Sequence, residues 1–462
     1  MTKPLHALAT LLILAALAAG CISTNSNKGA EVASFGKLAI RVGSGETAVV
    51  LPVASPELFQ ISTNFAAPGN YSARCFDGYQ WPDARGVMPR YDELDGSIIL
   101  GGGFRQILPE SVEITSTNGA QLYIEGRDYR LNTEWAQFAA IDGRLGTNTL
   151  RVKAALAMQR IDLLQASVSA EGGYSLKQGV SRLVCPQIPE PDAGHRAVAG
   201  IYVAPWRRGT VWAVTQEDIF PISSKSVELE RKSSRQSRLV AAQNAAAIVK
   251  TRAKLESGVP VTVAFIGDSI TLGAEAGRWW SDDSATYRGR VMRGLRERFP
   301  NSEITEVQAF QGGKGIEFVA ETFQNLVAPS NPDLIILGIG VNDAHEKLPG
   351  SGIPAVAPEA FAKLFDKILS DSAAIGAEVI IHTSMQTNPF DANGDAARWD
   401  AYLKIQRRLA VAHKVAVADT YAAWNAQSQD GIPPFSQLHN WINHPGANGH
   451  KLFADTILRL FN

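Results

Sequence analysis

A serine that directly follows a short apolar run is the residue in this sequence whose position most clearly suggests catalysis. Val261 to Phe265 are apolar or β-branched, a run long enough for one buried strand and too short for a helix. The turn Gly267-Asp-Ser269 follows it. Because α/β enzymes place reactive groups just beyond the carboxyl ends of parallel strands, Ser269 is a candidate nucleophile. Gly-Asp-Ser is also ordinary turn chemistry, so the serine needs partners.

Three later loops contain the other groups that an ester-cleaving site requires. The glycine-rich stretch Gln311–Gly315 lets backbone amides approach a substrate closely. The stretch Gly340–Asp343 offers the side-chain amide of Asn342, and the stretch Asn443–His450 offers an imidazole. A nucleophile, a general base and hydrogen-bond donors for an oxyanion together make an acyl-transfer site.

Alternating strand and helix patterns predict the framework that brings these loops together. After a helix over residues 234–256, strands are predicted at 261–265, 304–310, 333–339, 378–383 and 415–419, and helices at 287–299, 316–326, 358–375, 396–413 and 447–461. This alternation builds a three-layer α/β fold, a parallel sheet with helices on both faces. The loops that follow the strands then converge on one edge of the sheet.

The preceding part of the chain, residues 35–233, has a β pattern instead. Segments that alternate apolar with polar residues are separated by Gly, Asn and Asp, and they are Lys37–Val42, Ser111–Thr115, Gln121–Glu125 and Thr149–Val152. They predict a β-sandwich-like accessory domain ahead of a hydrolytic domain at residues 234–462. Two domains also fit a length of 462 residues, which exceeds one typical core.

Residues 1–20 have the pattern of a signal peptide. An apolar run over Ala7–Gly20 ends in small residues directly before Cys21, as in bacterial lipoprotein processing sites. Cys21 is then expected to carry the lipid anchor, and residues 21–34 form a tether. The protein is accordingly expected to be exported to the bacterial cell envelope and anchored to the membrane without spanning it. A plain secretory signal is the alternative.

Two further cysteines, Cys75 and Cys185, lie in the same half of the chain. An oxidising compartment makes a disulfide between them plausible, and two unpaired buried thiols are the alternative.

Composition and spacing argue against several partners. A net charge of −1 lacks the basic excess that nucleic-acid binding requires, so no nucleic-acid partner is expected. His439 and His450 flank the imidazole loop, but no His-Glu-x-x-His or Cys–His spacing accompanies them. We therefore expect neither a metal nor a cofactor.

Residues 234–462 resemble the SGNH hydrolase family, also called GDSL-type esterases and lipases. Four blocks occur in the family's order, and they are Gly267–Ile270 with its serine, Gly312-x-x-Gly315, Gly340-x-Asn342-Asp343 and His444-Pro445. The spacing of the second block selects Gly312 as its functional glycine, with Gly313 as the alternative.

The resemblance implies a mechanism and roles for individual residues. Ser269 attacks an ester carbonyl while His444 takes its proton and later gives it to the leaving alcohol. The family's oxyanion hole corresponds to the amides of Ser269 and Gly312 and the side chain of Asn342.

One position departs from the family pattern. An aspartate usually lies three residues before the histidine, and this sequence has Trp441 there. Asn440 is the nearest polar substitute, and it can orient an imidazole without supplying charge. Either a Ser–His dyad helped by Asn440 or a backbone carbonyl, or an acid from elsewhere in the chain, is expected. Asp343 and Asp419 are conceivable acids but are more simply interpreted as structural residues at strand ends.

The function that these patterns favour is an exported esterase that removes acyl groups, acetyl in particular, from carbohydrate. Surface anchoring, an added β domain and the polar Asn-His-Pro loop indicate a carbohydrate substrate by analogy. A lipase or thioesterase acting on longer acyl chains is one alternative. The other is a catalytically weak, glycan-binding surface lipoprotein, an interpretation that Trp441 keeps open.

Overall fold

The computed structural model describes residues 31–65, 105–133, 136–169, 173–205, 212–223, 244, 246–277, 280–346, 351–390 and 396–462. The predicted serine, histidine and oxyanion residues all lie in these ranges. The predicted signal peptide, Cys21, Cys75 and the predicted domain boundary at 233/234 lie outside the described residues.

Small antiparallel sheets make up the described part of the N-terminal half. Their strands are β1 (Val32–Ser34), β2 (Ala39–Val42), β3 (Val49–Pro52), β4 (Leu58–Phe65), β5 (Glu113–Ser116), β6 (Leu122–Tyr123), β7 (Tyr129–Asn132), β8 (Gln137–Ala140), β9 (Leu150–Ala157), β10 (Arg160–Ser167), β11 (Tyr174–Lys177), β12 (His195–Val203) and β13 (Ile219–Pro221). The strand orders are β1-β2-β3, β4-β9-β5-β6, β7-β8 and β11-β10-β12-β13. The predicted β-rich class is confirmed, and its apolar residues pack into separate buried clusters.

Strands and helices alternate in the C-terminal half, as predicted. The strands are β14 (Val261–Gly267), β15 (Ile304–Phe310), β16 (Leu334–Gly338), β17 (Glu378–His382) and β18 (Ala416–Ala418). The helices are α1 (Val249–Glu256), α2 (Ser269–Leu272), α3 (Tyr287–Arg298), α4 (Ile316–Thr322), α5 (Val341–Ala344), α6 (Pro358–Ala374), α7 (Ala396–His413), α8 (Thr420–Ala426) and α9 (Ala447–Leu458). All five strands pair in parallel, in the order β15-β14-β16-β17-β18.

The strand order explains why the predicted loops meet. β14 lies between β15 and β16, with Gly267 in register with Phe310 on one side and Gly338 on the other. The loops that carry Gly312, Ser269 and Asn342 therefore leave the sheet side by side. β16 is buried at every position, which is why its sequence is a continuous apolar run and does not alternate.

The two halves of the chain pack directly against each other. The Tyr202 and Phe435 rings meet edge to face with centroids 5.7 Å apart, and Gln437 Nε2 donates to Pro186 O at 2.9 Å. A Cβ atom on Gly200 would lie 1.8 Å from Gly431 O, so the two backbones touch at a point where no side chain fits. The accessory half thus covers residues 431–437, which lead into the loop of His444.

None of the helices in the described part of the chain is long and apolar enough to cross a membrane.

Candidate active site

Close backbone packing fixes the turn that presents Ser269. A Cβ atom on Gly267 would lie 2.2 Å from Gly338 O and 2.2 Å from Thr271 Oγ1, so only glycine fits there. The Asp268 side chain caps α2 by accepting a hydrogen bond from Ile270 N at 2.9 Å. Burial raises the pKa of this carboxyl to about 7. The capped turn places Ser269 at the first position of α2, directly beyond strand β14.

His444 reaches Ser269 from the loop that precedes α9. Its Nε2 lies 2.7 Å from Ser269 Oγ, a hydrogen-bond distance. Burial lowers the pKa of His444, while the Glu275 carboxylate raises it and His439 lowers it again. Because the lowered pKa favours the uncharged imidazole near neutral pH, the histidine is in the charge state that a general base requires.

The two predicted oxyanion loops lie beside the serine and are tied together. A Cβ atom on Gly312 would be 3.7 Å from Ser269 Cβ, whereas one on Gly313 would meet nothing within 4 Å. Asn342 Nδ2 donates to Lys314 O at 2.9 Å, and Asp343 Oδ1 accepts from Ile316 N at 2.9 Å. The third block therefore holds the second-block loop in place. The oxyanion roles of Ser269, Gly312 and Asn342 stay predictions.

Asn440 contacts the second ring nitrogen of His444. Asn440 Nδ2 lies 2.9 Å from His444 Nδ1 and 3.1 Å from Asn443 Oδ1. Asn440 Oδ1 accepts from the backbone N–H groups of Ile442, Asn443 and His444 at 3.0, 3.0 and 2.9 Å. These three donors fix which end of the amide is oxygen, because the flipped amide would set N–H groups against N–H groups.

The direction of this hydrogen bond has a chemical consequence. An amide nitrogen only donates, so His444 Nδ1 accepts, and the neutral ring carries its proton on Nε2, facing Ser269. A base that takes the serine proton needs an unprotonated Nε2. Asn440 thus meets the imidazole, as its predicted role requires, but it favours the tautomer that cannot accept the serine proton.

The other predicted acids have different partners. Asp343 binds Ile316 N, and Asp419 forms an ion pair with Arg407 at 2.9 Å. Trp441, at the family's aspartate position, is fully buried with a left-handed φ of 61°. Among the described residues, no carboxylate is hydrogen-bonded to the His444 ring.

The remaining histidines of this region have separate environments. His439 Nδ1 lies 2.8 Å from Glu275 Oε2, a pair that the sequence analysis missed because nothing in the sequence relates the two loops. His450 is buried, and its Nδ1 accepts from Tyr287 N at 3.1 Å. Within the described ranges, no group of three or more His, Cys, Asp or Glu side chains is arranged to hold a metal ion.

Cys185 forms no disulfide with any residue in the described ranges. Its Sγ donates to Gln437 O at 3.4 Å, and burial raises its pKa to about 12, so the thiolate is disfavoured. Since Cys75 lies outside the described residues, the predicted disulfide stays a prediction.

A parallel sheet flanked by helices, with a serine directly beyond strand β14 and a histidine from the last loop at hydrogen-bond distance from it, is typical of hydrolases with an α/β fold. Comparison with family models is more specific: residues 265–452 match the GDSL-like lipase/acylhydrolase family. This part of the chain is a GDSL-like, or SGNH, hydrolase domain, and the protein is a carboxylic ester hydrolase.

Solved structures similar to this chain include two hydrolases. One is LAE5, an α/β hydrolase enzyme from the metagenome of Lake Arreo in Spain, with 26% identity over 44% of this chain and 94% of that one, at a TM-score of 0.37. The other is Axe2, an acetylxylan esterase from Geobacillus stearothermophilus, with 20% identity, the same coverages of 44% and 94%, and a TM-score of 0.38. No curated protein matches the chain.

Proposed function

We propose that this protein is a serine esterase that removes short acyl groups, acetyl in particular, from carbohydrate. The observation that carries the proposal is the 2.7 Å contact between Ser269 Oγ and His444 Nε2. In the proposed reaction Ser269 Oγ bonds to the ester carbonyl carbon and its proton passes to an unprotonated Nε2. The carbon–oxygen bond to the sugar then breaks, and the sugar hydroxyl leaves with that proton. Water repeats the sequence on the acyl-enzyme and releases the acid.

The surface around the site supports a short acyl group. Of the large apolar side chains exposed in the described residues, only Trp280 and Ile353 belong to loops that follow the carboxyl ends of the parallel strands. A lipase acting on long chains needs a contiguous apolar surface at this edge. The apolar residues of the His444 loop are all buried, namely Leu438, Trp441, Ile442 and Pro445. They therefore offer no exposed surface that would hold a long acyl chain.

One observation favours a second candidate, a catalytically weak glycan-binding protein. Asn440 donates to His444 Nδ1 and so opposes the proton transfer that the esterase reaction requires. The accessory domain would then supply the main function.

Activity against a series of esters distinguishes these functions. For the mature protein we expect turnover of 4-nitrophenyl acetate to exceed that of the decanoate, and acetate release from acetylated xylan. The same protein, treated beforehand with an organophosphonate that blocks nucleophilic serines, serves as the control. A maximum at decanoate would replace the proposal with the lipase. Absence of turnover on every ester, together with retention on a xylan affinity gel, would establish the glycan-binding protein.

Export and lipid anchoring through Cys21 are part of the proposal and rest on the sequence of residues 1–34. We expect the protein expressed in a bacterium to incorporate an alkyne-labelled fatty acid and to sediment with membranes. A Cys21→Ser variant should lose the label and leave the membrane fraction. Equal labelling of both proteins would refute anchoring at this residue.

A further inference from the structure

We propose that Glu275 and His439 form a positioning pair that joins the serine loop to the histidine loop and supplies the negative charge missing at Trp441. The proposal rests on the Ser–His mechanism proposed above. The pair is distinct from the family's acid, because neither residue occupies the aspartate position and neither is bonded to the His444 ring.

The first step of the argument is where the pair sits. Glu275 follows the turn after Ser269, in which the N–H groups of Gly273 and Ala274 donate to Ser269 O at 3.0 and 2.9 Å. His439 N donates to His444 O at 2.7 Å. The 2.8 Å contact between Glu275 Oε2 and His439 Nδ1 therefore connects the backbones of the two loops whose side chains must meet.

The second step is the backbone conformation of Glu275. Its φ is 69°, a left-handed value that residues with a side chain rarely adopt. The Glu275 side chain is 12% exposed and the His439 side chain 21%, so water screens the pair incompletely. A non-glycine residue in this conformation persists where the surrounding contacts determine it, and such positions cluster at functional sites.

The third step is the effect of the pair on the catalytic imidazole. Burial is the main influence and lowers the pKa of His444, the Glu275 carboxylate raises it, and His439 lowers it. The charge of His444 also contributes to the lowered pKa values of two other histidines, His345 and His450. Among these neighbours Glu275 is the group of opposite sign to the imidazolium, so its charge stabilises the protonated ring formed during acyl transfer.

The last step is to distinguish an electrostatic effect of the Glu275 carboxylate on His444 from a purely structural role of the pair. Glu275→Gln keeps the shape and removes the carboxylate, and His439→Gln removes the imidazole while leaving the carboxylate. The rate kcat/KM rises with pH as His444 in the free enzyme loses its proton, so the midpoint of this acid limb follows the pKa of His444. Glu275→Gln should lower that pKa and move the limb to lower pH, whereas His439→Gln should raise it and move the limb to higher pH.

Opposite shifts are the expected result. In Glu275→Gln we also expect kcat on the plateau at high pH, where His444 is unprotonated, to fall roughly tenfold. This is a fraction of the roughly 10²–10⁴-fold that general-base catalysis contributes, because the variant loses the charge that stabilises the protonated ring. Glu321→Gln, which removes the same charge from the exposed surface of α4, should leave both the limb and the plateau unchanged. A purely structural pair would lower the plateau in both variants without moving the limb, and that outcome would overturn the proposal.

An experiment without substrate keeps this test independent of the proposed function. NMR titration of the labelled imidazoles, with the His444 signal assigned by its absence in His444→Gln, reports the pKa of the ring directly. If the His444 pKa shifts in opposite directions in Glu275→Gln and His439→Gln while the protein hydrolyses no ester, the proposed role of the pair is supported and the esterase function is refuted. Identical titration curves in the wild type and both variants would refute the pair.

Discussion

Replacing Ser269 by alanine is expected to lower kcat for 4-nitrophenyl acetate by about 10⁴–10⁶-fold, the loss typical of removing a serine nucleophile. The reason is that the proposed acyl-enzyme cannot form once Oγ is absent, and the proposed oxyanion donors at Gly312 and Asn342 would stabilise only the intermediate that attack by Oγ creates. Steady-state kinetics measure the loss. Mass spectrometry after an acid quench should find the acetyl group on the peptide containing Ser269 in the wild type and on no peptide of the variant.

The matched control for this experiment is Ser257→Ala. Ser257 follows α1 at the amino end of β14, the edge of the sheet opposite to the site, and its hydroxyl bonds to Ala253 O at 2.7 Å. Wild-type kcat is expected for it. Residual activity in Ser269→Ala above one hundredth of the wild type would mean that another nucleophile performs the reaction.

The second large effect is a gain. We expect Asn440→Asp to raise kcat at neutral pH by about 10–10²-fold, a fraction of the roughly 10⁴-fold that separates Asp from Asn in Ser-His-Asp sites. One carboxylate oxygen keeps the three backbone N–H donors of Ile442, Asn443 and His444. The other accepts a hydrogen bond from Nδ1–H, which keeps the ring proton on Nδ1 and leaves Nε2 free to receive the serine proton. Kinetics and the position of the ring proton in NMR spectra measure the change.

Asn443→Asp adds the same charge close by and serves as the control. Its side chain accepts from Asn440 Nδ2 at 3.1 Å, so the substitution leaves the amide donor on His444 Nδ1 in place. We expect no gain in kcat from it. An equal gain in kcat in both variants would mean that the added negative charge alone causes the effect. A loss of kcat in Asn440→Asp would refute the argument that Asn440 holds the His444 ring proton on Nε2.

The sequence predicts the hydrolase domain closely because its information is local. Except for the edge strand β15, which contains Thr305, Glu306 and Gln308, the strands of the parallel sheet are short apolar runs ended by glycine or polar turns. The observed bounds of all five strands fall within two residues of the predicted ones. Ser269 and His444 follow from the ordered motifs, and their contact is a consequence of the strand order.

The pairing of the accessory strands could not be predicted in the same way. β4 lies next to β9, which is far along the chain, and no local pattern specifies that choice.

Two features of the site depend on geometry that a sequence does not contain. The polarity of the Asn440 contact is set by three backbone N–H groups converging in one turn, and asparagine itself is compatible with either orientation. The pairing of Glu275 with His439 joins positions 164 residues apart. Neither residue stands at a motif position, so the sequence gives no reason to relate them.

The contact between Gln437 and the accessory half limits how the hydrolase domain can be used outside this protein. Gln437 O accepts from Gly446 N at 3.2 Å within the histidine loop and from Cys185 Sγ at 3.4 Å, while Gln437 Nε2 donates to Pro186 O. A chimera that joins residues 234–462 to a foreign carbohydrate-binding domain would remove Cys185 and Pro186, the partners that the accessory half supplies to Gln437. Engineering by domain exchange must therefore carry the segment around Cys185 and Pro186 along with the hydrolase domain.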